Sequence, residues 1–143
     1  MSSSTKLRVV FDASAKSPSG VSLNDILQVG AIKQSDLMSI LLRFRKYRFV
    51  FTADITKMYR QVLVNSNDTS LQRIFWRDHS AAPLRVLELV TVTYGTSVAP
   101  YLATRSLVQL GEDDGENYLL ASRVIKLDCY MDDILSGAIL LKK

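Results

Sequence analysis

The chain has 143 residues, 48% of them hydrophobic and 22% charged, with a formal net charge of +4. This balance excludes a disordered polyanion or polycation, and no apolar run approaches the ~18 residues of a membrane span. The single cysteine, Cys129, excludes an internal disulfide, and the positive charge permits a polyanionic partner without requiring one.

In chain order, the lead MSSST is polar and lacks a secretory apolar segment. LRVVF, residues 7–11, is rich in β-branched residues and predicts a strand. DASAKSPSGVSLND clusters Ser, Pro, Gly and Asn and predicts a loop. SDLMSILLRFRKYR then changes to helical period, with Leu37, Ile40, Leu41 and Phe44 on one face. Ser35 is the expected N-cap, with Asp36 in the first turn. FVFTADI, residues 49–55, predicts a buried strand ended by Asp54. TKMYRQVLV fits either a short helix or a bent strand.

QRIFWR and LRVLELVTVTY predict two strands joined by the polar loop DHSAAP. GTSVAPYLATRSLVQLG predicts a helix with Pro100 near its start, Gly111 near its end, and Ala99, Ala103, Leu107 and Leu110 on one face. EDDGENYLLASRV reads as an acidic loop and a short helix, and IKLDCYMDDILSGAILL as strand, tight turn, strand. No Pro- or Gly-rich linker divides the chain, so residues 1–143 are expected to form one α+β domain.

Two Asp–Asp pairs differ in setting. Asp113 and Asp114 lie among Glu112, Glu116 and two glycines, where water solvates both charges. Asp132 and Asp133 lie between CYM and ILSGAILL, where a buried unpaired carboxylate needs a hydrogen-bonded partner, a proton or a metal. A hairpin turn that merely exposes two acids also fits the local pattern. Asp54 ends another apolar strand and is a third candidate for the same cluster. Carboxylates of this kind hold hard cations, and Mg²⁺ in particular is held by one or two of them together with substrate phosphates. Three acids alone do not separate a nuclease from a polymerase.

Four blocks, KLRVVFDAS, FTADITKMYRQV, YGTSVAP and YMDDILSG, stand in this order between residues 6 and 137. In sequence and spacing the chain resembles the reverse transcriptase domain of long-terminal-repeat retrotransposons of the BEL/Pao group. The resemblance implies the palm of a right-hand polymerase, a ferredoxin-like antiparallel sheet with packed helices, plus part of the fingers. It implies an RNA-directed DNA polymerase that adds deoxynucleoside triphosphates to a primer 3′-hydroxyl on an RNA or DNA template. Asp54, Asp132 and Asp133 match the catalytic acids that hold two Mg²⁺ ions, with Mn²⁺ as a substitute, and the carbonyl of Ile55 matches a further ligand. Arg8 matches the fingers arginine that contacts the triphosphate, by the bidentate donation a guanidinium offers phosphate. Tyr59 matches the aromatic gate beneath the sugar. Tyr94 and Gly95 open the block that lies against nucleotide and template; Tyr94 stands where retroviral relatives usually carry Gln.

Basic and aromatic residues interleave in RFRKYR, which suits a nucleic-acid backbone as well as it suits a solvated helix end. His79 and Cys129 receive no chemical role. The chain stops soon after the YMDD block, so thumb, RNase H and integrase regions would lie elsewhere in a polyprotein, and the isolated chain is expected to grip template weakly and polymerise poorly. A retrotransposon-derived fragment without catalysis, and a metal-dependent nuclease using the same acids, are the alternatives. No address signal is visible; the resemblance implies cytoplasmic particles.

Overall fold

The computed structural model describes residues 9–140. It is an α+β arrangement of four α-helices and two antiparallel sheets. The helices are α1 (Leu23–Ile26), α2 (Leu37–Phe44), α3 (Ala99–Asp113) and α4 (Leu119–Leu127). One sheet has the order β1 (Phe49–Asp54), β5 (Asp133–Ala138), β4 (Cys129–Tyr130); the other is a hairpin of β2 (Arg73–Trp76) and β3 (Arg85–Glu88). No helix among the described residues is long and apolar enough to cross a membrane.

Several boundaries follow from side chains that satisfy backbone groups. Helix α1 begins inside the segment expected to be a loop and runs one residue past it. Its cause is a capping box, in which the Ser22 hydroxyl accepts from Asp25 N–H and the Asp25 carboxylate accepts from Ser22 N–H. At α2 the cap is Asp36 rather than Ser35, its carboxylate accepting from the N–H of Ser39 at 2.9 Å. Helix α3 starts with Pro100 in its first turn, where the missing N–H costs nothing. It runs two residues past Gly111, and Leu110 is exposed rather than sharing the buried face of Ala99 and Ala103. Helix α4 extends through Leu127 and takes Ile125, Lys126 and Leu127, expected in a strand, because Asp128 N–H still finds the Val124 carbonyl. Residues 56–64 resolve into a 3₁₀ turn, Met58–Gln61. Beyond Glu88 the expected strand to Tyr94 persists only as a bridge between Leu63 and Thr91. Of the first expected strand, Val9–Phe11 carries no ladder, and Leu7 and Arg8 lie outside the described residues.

The core is small: Ile40, Met58, Val92, Ala99, Ala103 and Cys129 are buried. Helices α2 and α4 pack on β4 and β5. Strand β1 sits where the sequence places it, but it is exposed along its whole length rather than buried. The sheet order explains this, since β1 is an outer strand and β5 is its main neighbour. The chain exposes 11224 Å², against roughly 7,400 Å² for a compact monomer of this mass. The excess leaves Phe49, Phe51 and Phe75 in water, a surface that native proteins ordinarily cover or charge.

Beneath α2, a buried polar network ties helix to sheet. Asp128 is 4% exposed. Its carboxylate accepts from the Ser136 hydroxyl at 2.7 Å and from Arg43 Nε at 3.3 Å, and a second Arg43 nitrogen donates to the Leu127 carbonyl. Burying the carboxylate is tolerated because each oxygen has a partner.

Candidate active site

The β1–β5 ladder brings Asp54 and Asp133 together. Its register pairs Phe49 with Ala138 at one end and Asp54 with Asp133 at the other. Directly opposed residues of an antiparallel pair project from the same face, with Cβ atoms about 4.5–5.5 Å apart. Beyond this pair, the Ile55 N–H donates to the Asp132 carbonyl at 2.7 Å, carrying the pairing one step into the turn. Tyr130 and Asp133 close that turn, so Met131 and Asp132 are its two central residues. Met131 has φ +55°, and Asp132 stays at negative φ. A positive φ at the first central residue alone is the pattern of type II′ hairpins, which usually place Gly there.

Asp54 and Asp133 are exposed and Asp132 is half-buried. None of the ion pairs among the described residues involves them. Among the described residues, no three or more acids, histidines or cysteines come together as a group that could hold a metal ion. The ladder opposes two carboxylates, Asp54 and Asp133, and Asp132 lies on the adjoining turn. The opposed pair fits Mg²⁺, which takes one or two carboxylates and completes its shell with water and phosphate. The Ile55 carbonyl accepts from Met58 N–H at 3.0 Å, which leaves one of its two lone pairs for another partner.

Tyr59 follows on the 3₁₀ turn, half-buried. Burial raises its phenol pKa above the ordinary value, and the charge of Asp132 raises it further. The hydroxyl is therefore neutral throughout the physiological range. Lys57 opens this turn in the left-handed region, φ +54°, and so redirects the chain after β1.

Tyr94 and Gly95 are fastened to the first and second blocks rather than to the acids. The Tyr94 hydroxyl donates to the Val9 carbonyl, and its ring lies 5.3 Å from that of Phe11. The Arg60 guanidinium lies 5.8 Å from the Tyr94 ring centroid and donates to its hydroxyl at 3.4 Å. Gly95 has φ +91°, and a Cβ there would stand 2.1 Å from the Phe11 carbonyl oxygen. Its role is thus close backbone approach. Asn24 bridges the same loop, accepting from Ser97 N–H at 2.7 Å and donating to the Gly95 carbonyl at 3.3 Å. A cleft of about 290 Å³ opens beside Arg60, Phe11 and Tyr94. A larger one, about 740 Å³, is lined by Leu27, Val62, Leu71 and Ile74 among others and by none of the three acids. Arg8 lies outside the described residues.

Sequence reading passed over Asn24, Gln34, Arg60 and Asp128. The capping-box spacing of SLND was a legible signal for the turn that carries Asn24. Gln34 and Asp128 gave none, because their partners, Met131 and Arg43, are remote in sequence. Cys129, given no chemical role from the sequence, is 2% exposed. A scan against protein-family models finds no match to the chain, and a search of curated proteins finds no match either.

Proposed function

We propose that this chain is the palm, with part of the fingers, of an RNA-directed DNA polymerase similar to the reverse transcriptases of BEL/Pao retrotransposons. The observation that carries the reading is the register of β1 on β5, which sets Asp54 opposite Asp133 with Asp132 on the adjoining turn. Like charges at directly opposed positions are unfavourable in a sheet, so their placement on one edge calls for a counter-charge. Asp54, Asp132, Asp133 and the Ile55 carbonyl would hold divalent cations, whose chemistry is to lower the pKa of a primer 3′-hydroxyl and to stabilise a leaving pyrophosphate.

The chain's own residues have the remaining tasks. The exposed edge leaves the carboxylates open to a triphosphate from solvent. Tyr59, one turn beyond β1 and kept neutral, offers a flat face against a sugar without adding charge. Arg60, stacked near Tyr94, places a cation between the second and third blocks, suited to a phosphate or a template base. RNA or DNA template with primer, and deoxynucleoside triphosphates, are the substrates this reading requires.

Mn²⁺ titration followed by electron paramagnetic resonance tests the site. Asp54→Ala and Asp133→Ala should each abolish binding while the fold is retained by circular dichroism. A single-turnover reaction with protein in excess of primer–template then reports the chemistry. Nucleotide addition supports the proposal; strand cleavage, or unchanged Mn²⁺ affinity in Asp54→Ala, overturns it.

A further inference from the structure

The hairpin that carries Asp132 and Asp133 is built on an unfavourable residue choice. Met131 occupies φ +55°, a region that L-residues with long side chains rarely adopt. Such a conformation persists only where surrounding contacts over-determine it. One contact comes from far away: the side-chain oxygen of Gln34, in the loop before α2, accepts from the Met131 N–H at 2.9 Å in a half-buried setting. Two peptides further on, the Asp132 carbonyl accepts from Ile55 N–H at 2.7 Å. The turn is thus held both by the residue that follows β1 and by the segment leading into α2.

We propose that Gln34 is a positioning residue for the acidic site: it holds the Met131 peptide in the left-handed conformation that sets Asp132 and Asp133 beside Asp54. This rests on the nucleotidyl-transfer reading above. A two-residue turn has no slack, so releasing Met131 to negative φ rotates the peptide joining it to Asp132. The carboxylates on that peptide and the next one then move relative to Asp54. Gly at position 131 would adopt the same φ without help. With Met there, an external acceptor supplies what the side chain opposes. Outer partners of this kind tune a cation site without touching the ion.

The test measures Mn²⁺ affinity by electron paramagnetic resonance and melting temperature in EDTA, on the full chain. Gln34→Ala should weaken Mn²⁺ binding about ten-fold, and Gln34→Ala combined with Met131→Gly should restore affinity to within about three-fold of wild type. Gln34→Met keeps the side-chain length without the acceptor, and it gives the same readout should the alanine variant be unfolded. Rescue by glycine is the response a merely structural contact would not give. If wild type binds Mn²⁺ and Asp54→Ala does not, yet Gln34→Ala binds as tightly as wild type, the role of Gln34 is overturned alone. Loss without rescue by Met131→Gly overturns it as well. If wild type itself fails to bind Mn²⁺, or Asp54→Ala binds equally well, the nucleotidyl-transfer reading fails and the role of Gln34 with it.

Discussion

Asp54 lies directly across the β1–β5 ladder from Asp133, the last pair of a six-residue register that begins with Phe49 and Ala138. The pairing sets two carboxylates side by side on an exposed strand end, with no cationic partner in the ion pairs among the described residues. Without a counter-ion this arrangement opposes folding. Asp133→Asn should therefore raise the melting temperature in EDTA by roughly 1–4 °C, and the gain should vanish when Mg²⁺ is present with wild type. Differential scanning fluorimetry with and without Mg²⁺ checks this; a variant that melts lower in EDTA would show that the two charges do not repel in the folded state.

Cys129 makes stability depend on alkaline pH. Burial, reinforced by the charge of Asp128, pushes its thiol from 9.0 up to about 11. The folded state therefore keeps the proton longer than the unfolded chain does. Its contribution is fully present below pH 9 and is lost as pH rises toward about 11, amounting to roughly 2–3 kcal/mol. Urea denaturation at pH 8 and pH 10.5 should show a steeper loss for wild type than for Cys129→Ala. Parallel pH profiles would contradict the assignment. The native thiol should also react with Ellman's reagent only as fast as the chain opens.

The buried network under α2 predicts strong coupling between Arg43 and Asp128. Arg43→Met alone leaves a nearly buried carboxylate without its cation and should cost about 1–3 kcal/mol, the lower part of the range for buried pairs because Arg43 is itself 30% exposed. Adding Asp128→Asn should recover part of that cost, since the amide can still bond the Ser136 hydroxyl. A double-mutant cycle by chemical denaturation measures the interaction. Additive single effects would mean that the ion pair does not fasten the helix to the sheet.

Two glycines with similar backbones provide a controlled comparison. Gly20 has φ +81° and open space where a Cβ would go; Gly95 has φ +91° and the Phe11 carbonyl there. Gly20→Ala should cost about 1–2 kcal/mol, from the backbone alone. Gly95→Ala should cost about 3 kcal/mol or more, because the clash adds to it. Equal losses, read from urea midpoints, would show that the first block does not press on the third.

Local chemistry made much of the fold legible. The apolar period of 37–44 and the β-branched run of 49–54 produced the expected helix and strand, because each pattern matches the repeat of its own backbone. The hairpin around Met131 was equally visible, since apolar runs flank a short polar break. Burial was not legible. FVFTAD has the composition of an interior strand, yet its exposure is set by its place at the edge of the sheet, and composition carries no strand order. The helix overran IKL for a related reason: whether Asp128 N–H continues a helix or begins a strand depends on the partner offered to it, and Val124 offered one.

The sequence alone determined which residues can carry charge at a strand end and at a tight turn: Asp54, Asp132 and Asp133 follow from composition and local periodicity. Only the tertiary structure decided that Asp54 faces Asp133, that Gln34 reaches Met131, and that Arg43 neutralises Asp128. The physical reason is that side-chain period and capping act over a few residues, whereas register and remote hydrogen bonds arise when segments far apart in the chain are packed together.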